Sequence, residues 1–136
     1  MPDQPSNRTA GSSREPIDIA SWVIHLERSG QAAAAESPPG PPTRIDGLSI
    51  GAPRISGPPP HAGEMHPDGD EVLYLISGRL TVVLEDESPP RQVVLEPGQA
   101  LIVPRGVWHQ VNVDEPSQLL HVTPGPGGEH RPLARE

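Results

Sequence analysis

Short runs of apolar residues, separated by glycine, proline and other turn residues, dominate the chain from residue 45 onward. Residues 72–76 form a continuous apolar run that ends at Ser77 and Gly78, and residues 80–84 follow at once, which predicts a β-hairpin. Further strands are predicted around residues 48–52, 93–95, 100–103, 109–113 and 119–123. Because these short strands alternate with turns, the sequence predicts an all-β antiparallel sandwich or barrel.

One segment before these strands shows helical spacing instead. Its apolar residues lie three or four positions apart, at Ile19, Trp22, Val23 and Leu26. This spacing places them on one face of a helix, and Asp18 and Gly30 are suitable residues to begin and end it. We therefore predict one short N-terminal helix over about residues 18–29. It should pack on the barrel or on a second subunit, because so short a helix is not stable alone.

The distribution of proline, glycine and serine predicts the domain boundaries. The chain contains 20 prolines and 14 glycines, and they concentrate outside the predicted strands. We expect residues 1–44 to be a flexible segment that carries the helix, residues 45–124 to form the barrel, and residues 125–136 to be a flexible tail. Within the first segment, residues 1–16 are expected to be disordered and residues 31–44 to form a linker.

Charge and composition exclude several classes of function. The chain has 18 acidic and 10 basic residues, a net charge of −8 and no basic patch, so nucleic-acid binding is not expected. It has no cysteine, which excludes disulfides and thiolate metal sites. No apolar run is long enough to span a membrane, and the first residues lack the features of a secretory signal. We therefore expect a soluble cytoplasmic protein with no nucleic-acid or membrane partner.

Two histidines and two glutamates have a spacing that can bring them to one point. Glu64 and His66 are two residues apart, so they point to the same side of an extended backbone. Glu71 begins the next predicted strand after a Pro-Asp-Gly-Asp turn, so it returns close to His66. His109 begins a strand after another turn. A metal site needs such donors from separate elements, and imidazole with carboxylate suits Fe(II), Mn, Ni or Zn.

The same residues carry a resemblance to a known family. The first part of the pattern resembles the first cupin motif and reads Gly57 followed by Glu64-x-His66-x4-Glu71-x6-Gly78. The second part resembles the second cupin motif and reads Gly98-x5-Pro104-x-Gly106-x2-His109-x2-Asn112. The two motifs together span residues 57–112, and strands on both sides extend the resemblance over about residues 45–124.

The resemblance implies a cupin-type double-stranded β-helix, which is a small jelly-roll barrel with a divalent transition metal at its centre. It carries a ligand role over to His66, Glu71 and His109, which occupy matching positions. The chain departs from the motif at its first histidine, where it has Glu64.

Three roles are open for Glu64. As a fourth ligand it would complete a set of two histidines and two carboxylates, which is neutral with a divalent ion and favours harder ions such as Mn or Fe. If only His66, Glu71 and His109 bind the metal, the set is that of non-haem iron oxygenases, and Glu64 would act as a general base. In the third case, His61 takes the place of the missing imidazole.

A cupin resemblance says more about the scaffold than about the reaction. The leading interpretation is a metal-dependent cupin enzyme that acts on a small organic molecule inside the barrel, as a dioxygenase, isomerase or lyase. Glu64 or His121 would move the proton, although His121 also fits a structural histidine bonded to the backbone. The alternatives are a non-catalytic barrel that binds a small ligand and a structural barrel without metal. We expect a homodimer in each case, because edge strands can pair between subunits.

Overall fold

The computed structural model describes residues 15–37, 43–58 and 61–132. These ranges contain ten β-strands. In chain order they are β1 (Trp22–Glu27), β2 (Ala32–Glu36), β3 (Gly47–Gly51), β4 (Arg54–Ile55), β5 (Glu64–Met65), β6 (Glu71–Leu84), β7 (Arg91–Leu95), β8 (Ala100–Val103), β9 (His109–Pro124) and β10 (Glu129–His130). All pairings between them are antiparallel. The predicted fold class, an all-β jelly-roll barrel, is confirmed.

Two long strands hold the barrel together. β6 has 14 residues and β9 has 16, and the two pair with each other along most of their length. The first half of β6 also pairs with β8 and its second half with β7, so β6 belongs to two half-sheets. The register of the β6–β9 pair shifts between Leu75 and Leu80, and irregular pairing of this kind bends a strand.

The two half-sheets share one core. The first contains β2, β1, β3, the end of β9, the start of β6 and β8, and the second contains β10, β5, the start of β9, the end of β6 and β7. Alternation along β6 gives it a buried inner face, while Val72, Tyr74 and Ile76 lie on its outer face. Side chains from both half-sheets form the buried cluster, which contains Leu73, Leu75, Leu80, Val82, Leu84, Leu95, Val103 and Leu119.

The helix predicted over residues 18–29 is wrong. The segment contains strand β1, which pairs with β2 on one side and with β3 on the other. Its helical spacing is incidental, because Trp22, Ile24 and Leu26 also alternate along the strand and share one face. A helix this short is marginal in isolation, so hydrogen bonding to two neighbouring strands outweighs its weak preference.

The sheet also includes residues outside the predicted barrel. β1 and β2 lie within residues 1–44, and β2 occupies part of the linker that was predicted for residues 31–44. β10 lies in the predicted tail, residues 125–136, and pairs with β5. The disorder expected for residues 1–16 falls almost entirely outside the described residues. Within the described ranges, no helix is long and apolar enough to cross a membrane.

The bend in the β6–β9 pair depends on Gly78, and alanine at this position should destabilise the fold. Gly78 has a φ of +91°, and a Cβ there would collide with Ser117 Oγ and the Pro116 carbonyl oxygen. Gly98 has a similar φ of +89°, but nothing lies within 4 Å of where its Cβ would be. We expect Gly98→Ala to lower the free energy of unfolding by about 1–2 kcal/mol. Gly78→Ala should cost about 1–3 kcal/mol more, measured by urea denaturation. Equal costs for the two variants would contradict a role for the close contact with β9.

Candidate metal centre

Four side chains from both half-sheets converge on one point in the barrel. Glu64 in β5 is the direct cross-strand partner of His109, the first residue of β9. His66 lies in the loop between β5 and β6, and its carbonyl oxygen accepts a hydrogen bond from Gly106 N. Glu71 is the first residue of β6, in the other half-sheet. The structure therefore brings together the four residues that the sequence analysis selected as metal ligands.

The donor atoms are separated by distances that one metal ion can bridge. His109 Nε2 lies 2.9 Å from Glu71 Oε1, and His66 Nε2 lies 3.5 Å from the same oxygen. Glu64 Oε1 lies 3.8 Å from His66 Nε2 and 3.9 Å from His109 Nε2. Ligands held about 2.1 Å from one ion are about 3.0 Å apart at a right angle and about 4.2 Å apart when opposite. The measured distances agree with this range.

Three of these donor atoms are buried and have no hydrogen-bond partner, namely His66 Nε2, His109 Nε2 and Glu71 Oε1. An unpaired buried polar group costs about 1–3 kcal/mol, so folded proteins generally avoid one. His109 Nε2 and Glu71 Oε1 are close together without forming a hydrogen bond. This is the arrangement expected of two lone pairs directed at a common cation. The residues present therefore fit a divalent metal ion.

A backbone contact fixes the tautomer of His109. Its Nδ1 lies 3.3 Å from the carbonyl oxygen of Val107. Because a carbonyl oxygen can only accept, Nδ1 is the nitrogen that carries the proton. In the neutral ring, Nε2 then presents its lone pair to the other donors, and histidine ligands of metals are commonly oriented by a contact of this kind.

The charge of Glu71 is buried, with only 3% of its side chain exposed. Burial by itself would raise the pKa of Glu71, but without a metal ion a proton shared with His109 or His66 would hold that pKa well below its usual range. Burial by itself would lower the pKa of His66, but Glu64 and Glu71 together raise it to about 9. The donor group thus requires a positive charge between its two carboxylates, which either a proton on His66 or a metal cation can supply.

Glu64 is the most accessible of the four donors, with 25% of its side chain exposed compared with 4% for His66. Its second oxygen, Oε2, lies 3.6 Å from His61 Nε2. His61 Nδ1 accepts a hydrogen bond from Gly63 N, so Nε2 carries the proton and faces Glu64. In the structure His61 therefore contacts the second oxygen of Glu64 and does not belong to the group of four donors.

Thr123 connects His121 to the donor group. Thr123 Oγ1 donates a 2.6 Å hydrogen bond to Glu71 Oε2, and His121 Nδ1 lies 2.8 Å from the same Oγ1. His121 is paired across the strands with Leu73, so it shares the inner face of the sheet. The sequence analysis selected His121 but missed Thr123. The two-residue spacing between them, which puts both on one face of a strand, was the signal that could have found it.

The fold and this donor group define a jelly-roll barrel that can hold a metal ion. The profile of the cupin domain matches residues 56–123, which is half of the chain. The chain belongs to the cupin family. No curated protein sequence matches it significantly.

Solved structures with the same fold include oxalate decarboxylase from Bacillus subtilis at pH 4.6, with a TM-score of 0.52 and 19% sequence identity. The match covers 61% of this chain and 23% of the oxalate decarboxylase chain. Another structure of that enzyme, concerned with its Mn(II) centers, has a TM-score of 0.51 and 20% identity over the same shares. A cupin-2 domain containing protein from Shewanella frigidimarina has a TM-score of 0.49 and 20% identity, over 61% of this chain and 76% of that chain. At these low sequence identities, the two oxalate decarboxylase structures show similarity of fold alone. This chain spans less than a quarter of the length of oxalate decarboxylase.

Removing the charge of either glutamate should weaken metal binding. Glu71→Gln should have the larger effect because Glu71 is buried and lies closest to both imidazoles, and Glu64→Gln should weaken binding by about tenfold or more. The measurement is calorimetric titration of the metal-free protein with Mn²⁺ and Zn²⁺. Glu87→Gln makes the same change at an exposed position and serves as the control. Unchanged affinity in Glu64→Gln would remove Glu64 from the ligand set, and unchanged affinity in both variants would contradict the metal centre.

Proposed function

We propose that this protein is a metal-dependent enzyme that moves a proton on a small organic molecule bound inside the barrel. The observation that carries the proposal is the hydrogen-bonded chain from His121 through Thr123 to Glu71, which joins an imidazole to the metal donors. Isomerase and lyase reactions, in which a proton leaves carbon next to a carbonyl group, are the classes that this arrangement supports best.

The chain of hydrogen bonds supports Nε2 as the basic nitrogen of His121. The single proton of Thr123 Oγ1 goes to Glu71, because an ionised carboxylate can only accept. Thr123 Oγ1 therefore accepts from His121, which means that His121 Nδ1 carries the proton. The other nitrogen, Nε2, keeps its lone pair and lies beside Gly51, where a Cβ would come within 3.0 Å of it. Burial lowers the pKa of His121, which keeps the ring neutral and able to accept a proton.

Each residue of the chain has a defined part in the reaction. A divalent metal bound by the four donors would act as a Lewis acid on a carbonyl oxygen of the substrate. His121 Nε2 accepts the proton from the adjacent carbon, and the electron pair of the broken C–H bond stays on the substrate. The imidazolium formed in this step donates through Nδ1 to Thr123, which in turn donates to the Glu71 carboxylate. Returning the proton to another carbon of the substrate completes an isomerisation.

Glu64 is proposed as the fourth ligand. Two carboxylates and two imidazoles around a divalent ion make a neutral set, and this chemistry favours Mn or Fe, with Ni and Zn also compatible. The Mn(II) centers named for oxalate decarboxylase support a cation of this kind on the same fold. Glu64 is also accessible and pairs with His61, so a role as a second proton carrier is compatible with its position.

The proposal predicts metal-dependent exchange of carbon-bound hydrogen. In D₂O, the Mn²⁺-loaded protein should exchange the acidic C–H groups of 2-oxobutyrate or acetylacetone, followed by NMR after the metal is removed. His121→Asn should slow this exchange by about 10²–10⁴-fold. Glu87→Gln, the exposed control variant used for metal binding, should leave it unchanged.

Two other outcomes would replace the proposal. Oxygen consumption with catechol or diketone substrates that does not depend on His121 would indicate a dioxygenase. Saturable binding of these compounds without exchange or oxygen uptake would indicate a non-catalytic small-ligand-binding barrel.

We also propose that the protein forms a homodimer through the outer face of its first half-sheet. One row of cross-strand neighbours on this face is apolar throughout and consists of Ile24, Ile50, Val122, Val72 and Ile102. Next to this row, Tyr74 and Ile76 are exposed, and Ile102 is 62% exposed. The row crosses five strands that lie about 4.8 Å apart, and residues 72–76 of β6 extend the patch by five residues of about 3.3 Å each. The patch outlined in this way covers about 400 Å². An apolar patch of this size on a monomer commonly marks an interaction surface, and a sheet face can pair with the same face of a second copy.

A charge on this face should dissociate the dimer. We expect Ile102→Lys to raise the dimer dissociation constant by about tenfold or more, measured by sedimentation velocity. Val94→Lys is the matched control, because Val94 is also an exposed apolar residue on an edge strand but belongs to the second half-sheet. A monomeric wild-type protein, or equal effects of the two variants, would contradict the proposed interface.

A further inference from the structure

Arg44 carries a buried nitrogen that the described residues do not satisfy. Its Nη1 is shielded from solvent and has no hydrogen-bond partner. Arginine is always charged, and a buried charged donor without a partner is more costly than a neutral one. Within the described ranges, the ion pairs of arginine are Arg28–Asp46, Arg91–Asp86 and Arg131–Glu85. Arg44 has no carboxylate partner among these residues, although acidic residues outnumber basic ones by 18 to 10 in the chain.

Arg44 lies against the end of β9, because a Cβ at Gly125 would come within 3.1 Å of Arg44 Cβ. After burial, which is the larger cause, Arg44 is one of the groups that lower the pKa of His25 and of His121. These histidines lie on β1 and β9, on either side of β3, and His25 Nδ1 is 3.1 Å from Ser49 Oγ. Ser49 is buried and is the cross-strand partner of Thr123, which holds Glu71. Arg44 is therefore within electrostatic range of the histidine that is hydrogen-bonded towards the metal donors.

The metal donors themselves provide little attraction for an anion. Two glutamates cancel the charge of a divalent ion, so a negatively charged ligand needs a cation elsewhere in the barrel. A guanidinium group suits this purpose, because its planar set of donors matches the oxygens of a carboxylate or a phosphate. Arg44 offers such a group, because its buried Nη1 has no hydrogen-bond partner.

We propose that Arg44 binds the oxyanion group, a carboxylate or a phosphate, of the small molecule whose reactive carbon lies at His121. This inference rests on the proposed function and adds the class of ligand: a compact anion with a carbonyl group at one end and the oxyanion at the other.

The test is a titration of the full chain with simple anions, followed through the histidine ring signals in ¹H–¹⁵N NMR spectra. Benzoate and inorganic phosphate are the probes, and benzamide is the neutral match for benzoate. The titrations are made with metal-free and with Zn²⁺-loaded protein. We expect saturable shifts of the His25 and His121 signals with benzoate or phosphate and none with benzamide. The preferred anion distinguishes a carboxylate ligand from a phosphate ligand.

Variants of Arg44 decide whether this residue is responsible. Arg44→Gln should weaken anion binding by about tenfold or more, since a charge-assisted hydrogen bond is lost, and Arg44→Lys should have a smaller effect. Arg54→Gln removes the same charge from an exposed position on β4 and should change nothing. Dispersed NMR spectra show that a variant is folded, and Arg44→Lys keeps the test decisive if Arg44→Gln unfolds.

The outcomes separate this inference from the proposed function. No saturable shift with either anion, or equal affinity in Arg44→Gln, would overturn the anion site even if Zn²⁺ binds and His121 supports exchange. Arg44-dependent anion binding in a protein that takes up no metal would support the anion site and overturn the proposed function. Arg44-dependent binding together with normal Zn²⁺ uptake in Arg44→Gln would support both.

Discussion

The buried carboxylate of Glu71 is the constraint on which the fold and the site both depend. A charge at this depth is tolerated only when its oxygens have partners. One oxygen faces the imidazoles of His66 and His109, and the other accepts a hydrogen bond from Thr123. Thr123 reaches Glu71 only because β9 pairs with β6 in one particular register. The pairing that closes the barrel therefore also completes the donor group, and a slip of one residue would remove both at once.

The donor group could be predicted from the sequence because local geometry positions its members. Glu64 and His66 share a face of extended chain, a four-residue turn returns Glu71 to His66, and His109 begins the strand that pairs with Glu64. The all-β class followed equally from local alternation and turns. The error over residues 18–29 arose because six residues satisfy helical and strand periodicity equally well. Only the neighbouring strands β2 and β3 decide between them, and these lie outside the window that a periodicity argument uses.

The residues that the sequence analysis missed owe their positions to sheet register. Thr123, Ser49 and Arg44 belong to no motif, and each would pass as an ordinary polar residue in isolation. Ser49 is opposite both His25 and Thr123, which are about 100 positions apart in the chain. Similarly, the alanine run of β2 favours a helix by intrinsic preference, yet it forms an edge strand against β1. Such assignments follow from which strands are neighbours, and no local pattern contains that information.

The four donors are not anchored equally, and this difference affects coordination. Glu71 and His109 begin strands of 14 and 16 residues, whereas Glu64 belongs to β5, which has two residues and pairs once with β9 and twice with β10. A small local movement can withdraw Glu64 while the core remains intact, because few backbone hydrogen bonds hold it. For a metal bound as proposed, the coordination number offered by the protein would therefore be adjustable between three and four. On this proposal Glu64 would be a hemilabile ligand, one that can dissociate while the others stay bound, at the position where the cupin motif has histidine.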